Sequence, residues 1–159
     1  MGEDVCLVTY EEWQRTAGKT RARLSTALLR NADDTPNGVE IDPLRVRQIM
    51  FNLLANAVRY TSHGGVRVQL SAEPGREEGR ARLKFQVGDT GAGMSRSQLA
   101  LIFGRQRVYA EGDGPGLGLA ISIRLARLMG GELSARSELG QGSVFCFTLD
   151  APLADAEQP

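Results

Sequence analysis

Residues Leu44–Gly65 read LRVRQIMFNLLANAVRYTSHGG, and this stretch decides the fold. Apolar residues recur at Val46, Ile49, Met50, Leu53, Leu54, Ala57 and Val58, the period of a helix with one face on a core. Asp42 followed by Pro43 supplies an N-cap and a first-turn proline, so the helix is expected over Pro43–Tyr60, ended by Gly64 and Gly65. Two asparagines interrupt it. Asn52 and Asn56 stand four apart and Arg59 follows three later, a spacing that puts two amides and a guanidinium on one helix face. Read alone, they equally describe the solvated side of an amphipathic helix.

Downstream, Val66, Val68 and Leu70 alternate as a strand, Glu73–Gly79 forms a turn, and Ala81, Leu83, Phe85 and Val87 alternate as its antiparallel partner. A short helix over Ser95–Ile102 is capped by Ser95. Gly104–Pro115 is a polar, glycine-rich loop. Leu117–Met129 is an apolar-periodic helix stopped by Gly130 and Gly131. Glu132–Ser137 and Ser143–Leu149 make a final hairpin. Upstream, Val5–Thr9 suggests a strand, Thr9–Glu12 a capping box opening a helix through Trp13 and Ala17, and Arg23–Arg30 a further strand before the turn-rich Asn31–Gly38. The fold class expected is α+β: a two-layer sandwich with strands in antiparallel pairs and the helices on one face.

Composition narrows the role. The 19 basic and 19 acidic side chains cancel, which gives no support to nucleic-acid or membrane-surface binding. Cys6 and Cys146 lack both metal-ligand spacing and a disulfide framework, and a reducing, cytoplasmic setting fits. No apolar run approaches the roughly 20 residues of a membrane span, and the start MGEDVC lacks a signal-peptide pattern. The 19 glycines cluster in Gly88–Gly93, Gly104–Gly118 and Gly130–Gly142, which marks functional loops.

Three features carry candidate chemistry. The amide oxygens of Asn52 and Asn56 suit a hard cation such as Mg²⁺, and Arg59 suits phosphate oxygens. Asp89-Thr90-Gly91-Ala92-Gly93 leaves a strand. Its carboxylate can accept from an exocyclic amine such as that of adenine, while Gly91 and Gly93 let the backbone approach a flat ring. Gly114-Pro115-Gly116-Leu117-Gly118-Leu119 opens a helix, where free N–H groups and the positive helix end favour an anion. The run matches neither GxxxxGK[ST] nor GxGxxG.

In this order the features resemble the ATP-binding domain of histidine kinases, of the GHKL or Bergerat-fold superfamily. NLLANAVRYT looks like its N box, VGDTGAGM its G1 box, GPGLGLAIS its G2 box, and Phe103 in LIFGRQ the first phenylalanine of its F box. The ending RLARLMGGELSARSELGQGSVFCFTL is also similar. The resemblance implies a mixed, mainly antiparallel sheet packed on about three helices, with ATP and Mg²⁺ as cofactors. It implies one ATP-binding catalytic domain over residues 1–150, followed by a flexible tail over 151–159.

By position, the resemblance makes Asn56 the Mg²⁺ ligand and sets Asn52, Arg59 and Tyr60 on the phosphate and ribose side, Asn52 and Arg59 being the catalytic pair. Asp89 binds the adenine amine, with Gly91, Gly93 and Met94 shaping that pocket. Gly114, Gly116 and Gly118 hold the phosphate end, Leu117 joins the lid hinge, and Phe103 and Leu119 complete the set. GHKL hydrolases of the gyrase, Hsp90 and MutL type have a water-activating glutamate four residues before the metal asparagine. Here that residue is Asn52, and an amide is no general base.

The acceptor is expected elsewhere. The sole histidine, His63, lies in a turn inside the module, and the family's histidine-bearing helical hairpin is not among these residues. The partners implied are therefore the histidine-bearing dimerisation domain and, through it, a response regulator, with no nucleic acid and no direct membrane contact. The parent is free to be a membrane-anchored sensor, and the domain alone is expected to be a monomer. The loop Gly104–Asp113 is short for a family lid and lacks the second F-box phenylalanine, with Arg105 and Arg107 as candidate γ-phosphate contacts. That leaves two other classes open: a non-catalytic nucleotide-sensing or docking module, and a serine kinase of the anti-sigma type.

Overall fold

The computed structural model describes residues 5–7, 15–16, 19–20, 39–104 and 116–153. In chain order the elements are β1 (Val5–Leu7), β2 (Arg15–Thr16), β3 (Lys19–Thr20), α1 (Pro43–Tyr60), β4 (Val66–Pro74), β5 (Arg80–Asp89), α2 (Arg96–Phe103), α3 (Gly116–Leu128), β6 (Glu132–Glu138) and β7 (Gly142–Pro152). The main sheet has the order β1-β4-β5-β7-β6, and every described pair is antiparallel. A parallel pair is not among the described residues. The two hairpins expected from sequence, β4–β5 and β6–β7, are joined through β5 and β7, so β7 is a central strand.

Strand alternation sorts the sheet into two faces. Ala81, Leu83, Phe85 and Val87 of β5 are buried, and they lie in register with Ala151, Leu149, Phe147 and Phe145 of β7. The rings of Phe85 and Phe147 stack with centroids 5.5 Å apart. The three helices cover this face. From α1 it receives Val46, Ile49, Leu53 and Ala57, and from α3 Leu119, Ile123 and Ala126. Each large side chain taken wholly out of water contributes about 1.5–3 kcal/mol of transfer free energy. This stripe therefore anchors α1 far more firmly than its caps do.

Those caps match the sequence reading. Asp42 Oδ1 accepts from the N–H groups of Leu44 (3.0 Å) and Arg45 (3.1 Å). Ser95 caps α2 in a reciprocal box with Gln98.

Two expectations are corrected. The helix proposed to run from Thr9 through Ala17 is overturned at Arg15–Thr16, which pair with Lys19–Thr20 across a two-residue connection, the spacing of a tight hairpin. The tail does not begin at residue 151. Ala151 is 1% exposed and continues β7 against Ala81, and Leu153 bridges Val39. An apolar residue in register with a buried partner keeps a strand going past a sequence punctuated by Asp150 and Pro152. The strand Arg23–Arg30, the turn Asn31–Gly38, the loop from Arg105 to Pro115 and residues 154–159 lie outside the described residues.

Candidate nucleotide site

The site's floor is the C-terminal end of β5. Asp89 is half-buried there, paired with Ser143 of β7. Burial pushes its carboxyl above the ordinary carboxylate range, while the N–H groups of Gly91 and Ser143 donate to it and pull partly back. The Gly91 bond to Oδ1 measures 2.8 Å. The loop beyond is fastened on both sides. Thr90 N–H donates to the Gly65 carbonyl (3.1 Å), and its hydroxyl accepts from Gly65 N–H (2.9 Å). On the other side, Gly140 N–H donates to the Ala92 carbonyl (2.7 Å), and Met94 N–H donates to Ser137 Oγ (2.7 Å).

Close backbone approach explains the glycines. Gly93 has φ +66°, and a Cβ on it would collide with the Glu138 carbonyl. Gly142 has φ +97°, and its Cβ would collide with the Asp89 carbonyl. A Cβ on Gly91 would strike the Tyr60 carbonyl, so the loop packs on the end of α1 as well. Met94 and Phe103 are half-buried against the core.

The other wall is α1. Asn52 and Asn56 each precede a buried residue, Leu53 and Ala57, and so flank the core stripe half-buried. Asn52 Nδ2 donates to the Gly118 carbonyl (3.1 Å) and to Ser122 Oγ (3.0 Å). A carbonyl only accepts, so the atom facing Gly118 is the nitrogen and the amide's orientation is fixed. Asn56 Nδ2 is buried and makes no hydrogen bond among the described residues. Arg59 is exposed, and Tyr60 is 45% exposed at the helix end.

α3 brings the G2 residues. Gly116 opens the helix, Leu117 is 63% exposed, and Gly118 lies over Asn52. Leu119 is 6% exposed and turns its side chain onto the core beside Ile123, so in this first turn of α3 only its backbone is left to face the site. Gly114, Arg105 and Arg107 lie outside the described residues. His63 is an exposed turn residue, as its sequence context indicates.

Three residues escaped the sequence reading: Ser122, wholly buried beneath Asn52, and Ser137 and Ser143 beneath the Asp89 loop. Each is a hydroxyl at a position whose helical or strand period is otherwise apolar. That mismatch was the available signal.

The chain belongs to the family described as histidine kinase-, DNA gyrase B- and HSP90-like ATPases, whose sequence profile matches residues 41–153. Its relatives lie on the histidine-kinase branch. It is 43% identical over 138 residues to the sensor protein TorS of Escherichia coli, covering 86% of this chain and 14% of TorS. It is 38% identical to the aerobic respiration control sensor protein ArcB of Escherichia coli, covering 74% of this chain and 15% of ArcB. The chain thus spans about a seventh of these relatives. Among solved structures it resembles full-length ShkA in complex with AMPPNP (TM-score 0.59, 40% identity, covering 76% of this chain and 24% of that one). It also resembles the mycobacterial sensor histidine kinase MprB (TM-score 0.54, 27% identity, covering 76% and 79%). No helix among the described residues is long and apolar enough to cross a membrane.

Proposed function

We propose that the chain is the ATP-binding catalytic domain of a two-component sensor histidine kinase. It holds Mg·ATP and presents the γ-phosphoryl to a histidine on a separate dimerisation domain, from which a response regulator is served. One observation carries the choice of kinase over hydrolase. The side chain four residues before Asn56 is a neutral amide whose nitrogen is committed to Gly118 and Ser122. It has no basic lone pair with which to activate water.

The remaining residues suit phosphoryl transfer, which needs positioning and charge neutralisation more than covalent help from the protein. Asp89 accepts from the adenine amine. Arg59 offers a guanidinium to phosphate oxygens at the end of α1. Among the described residues no three His, Cys, Asp or Glu side chains gather as a metal cluster. The donors at hand are amide oxygens, which fit a magnesium ion that keeps most of its water, with Asn56 as its protein ligand. Bound there, the ion neutralises charge on the terminal phosphates.

The test is to mix the chain with the histidine-bearing domain of its parent and γ-labelled ATP. Acid-labile label on the partner is the expected result, and acid-stable label would indicate a serine kinase instead. The short lid sequence favours a second reading, a nucleotide-sensing module. ATP binding without any transfer would select it.

A further inference from the structure

Ser137 ends the inward face of β6, after Leu133 and Ala135. Its hydroxyl touches three groups. It accepts from Met94 N–H (2.7 Å), it donates to the Gly142 carbonyl (2.9 Å), and it lies 2.9 Å from Ser143 Oγ. A serine has one hydroxyl proton. The Gly142 carbonyl can only accept, so that proton is spent there. In the contact between the two serines, Ser143 must therefore be the donor. The chain of protons runs one way, from Ser143 to Ser137 to Gly142.

The consequence falls at Asp89. Ser143 is 7% exposed, lies beside Asp89 in the strand ladder, and gives its backbone N–H to that carboxylate. With its hydroxyl proton turned inward, Ser143 Oγ can offer only lone pairs, as the ionised carboxylate of Asp89 does. An acceptor-only surface favours a ring carrying an amino group, a donor, at its 6-position. It disfavours one carrying a 6-oxo group, an acceptor, because two acceptors would face each other without a proton.

We propose that Ser137 is a positioning residue that sets the selectivity of the nucleotide site for 6-amino over 6-oxo purines. It does so by holding the Ser143 proton away from the base and by fixing Met94. The inference rests on the reading of Asp89 as the adenine ligand. Without the Ser137 hydroxyl, the Ser143 proton is free to rotate and donate outward.

The experiment titrates the whole chain calorimetrically with ADP and with IDP, its 6-oxo counterpart. The wild type is expected to prefer ADP. Ser137→Ala is expected to bind ADP about three- to tenfold more weakly, the worth of one hydrogen bond. Its affinity for IDP should hold or rise, so the ratio narrows. Ser137→Thr, which keeps the hydroxyl on a strand-compatible side chain, restores the ratio. Ser137→Cys, nearly isosteric and a poor hydrogen-bonding group, narrows it if the alanine variant does not fold. A variant that weakens both nucleotides equally, or neither, overturns the proposal and leaves Ser137 a structural residue. A wild type that binds neither nucleotide overturns the ATP-binding reading, and this inference with it.

Discussion

At the Asp89 end of the site the wall is made of backbone. Gly93 and Gly142 sit at positive φ where no Cβ fits, and hydrogen bonds reach the loop from the turn after α1 and from the β6–β7 hairpin. At the Asn52 end the wall is made of side chains. Two amides, an exposed guanidinium and a tyrosine project from α1, and one amide nitrogen holds the G2 helix. A backbone wall is built as the sheet forms, so under the proposed function the surface offered to a flat ring is preorganised there. A side-chain wall tolerates mutation without loss of fold, so under the proposed function the charge chemistry of phosphate falls where sequence can tune it.

The sharpest test of that contrast is Gly142→Ala. Strain at φ +97° and the collision with the Asp89 carbonyl together should lower stability by about 3 kcal/mol, read from denaturant unfolding. A fall below about 1 kcal/mol would mean the backbone wall yields easily. Next is Asp89→Asn, which keeps the shape and removes the charge. ATP affinity should fall about 10- to 100-fold, the worth of a charge-assisted hydrogen bond, while the melting temperature does not fall and, at neutral pH, rises slightly. Equal binding of a fluorescent ATP analogue by both proteins would move the base elsewhere.

The side-chain wall is probed by Asn56→Ala. The magnesium-dependent part of ATP affinity should drop about tenfold, and magnesium-free ADP binding should stay as it was. Stability should change by less than about 0.5 kcal/mol, because the buried Nδ2 has no partner among the described residues to lose. Gly118→Ala is smaller still. A Cβ there would stand 3.5 Å from Asn52 Cγ, an ordinary contact, so stability should rise by roughly 0.5 kcal/mol in thermal melts.

The least effect concerns pH. Asp89 is raised by burial, so the folded chain holds this proton more tightly than the unfolded chain. Stability should therefore fall as pH rises from the ordinary carboxylate range through the raised value, then level off. Melts of Asp89→Asn across the same range should lack that component.

Much of this was legible in the sequence, and the gaps have physical reasons. α1 could be bounded because Asp42-Pro43 and Gly64-Gly65 are local signals, and the central strands because their apolar alternation is unbroken. The Asp89 and Asn56 assignments came from the order of several motifs, since neither residue is distinctive alone. The burial of the Leu119 side chain was not read from its motif, because a motif groups residues that the helical period separates. Arg15–Thr16 were misplaced because a capping pattern is local and a two-residue hairpin overrode it. Ser137 stayed hidden because its partners, Met94, Gly142 and Ser143, meet only once β6, β7 and the Asp89 loop are assembled.

The bridge between Val39 and Leu153, with Glu40 N–H donating to the Pro152 carbonyl (3.0 Å), has a mechanical meaning. The segment that leads into α1 is stitched to the far end of central strand β7. A tug or twist arriving along the chain from upstream meets that stitch before it meets the helix. It is then shared between the asparagine wall and the strand that carries Ser143. The same stitch fixes where the module can be cut and grafted: a splice placed after residue 150 severs the joint, and one placed beyond Leu153 leaves it whole.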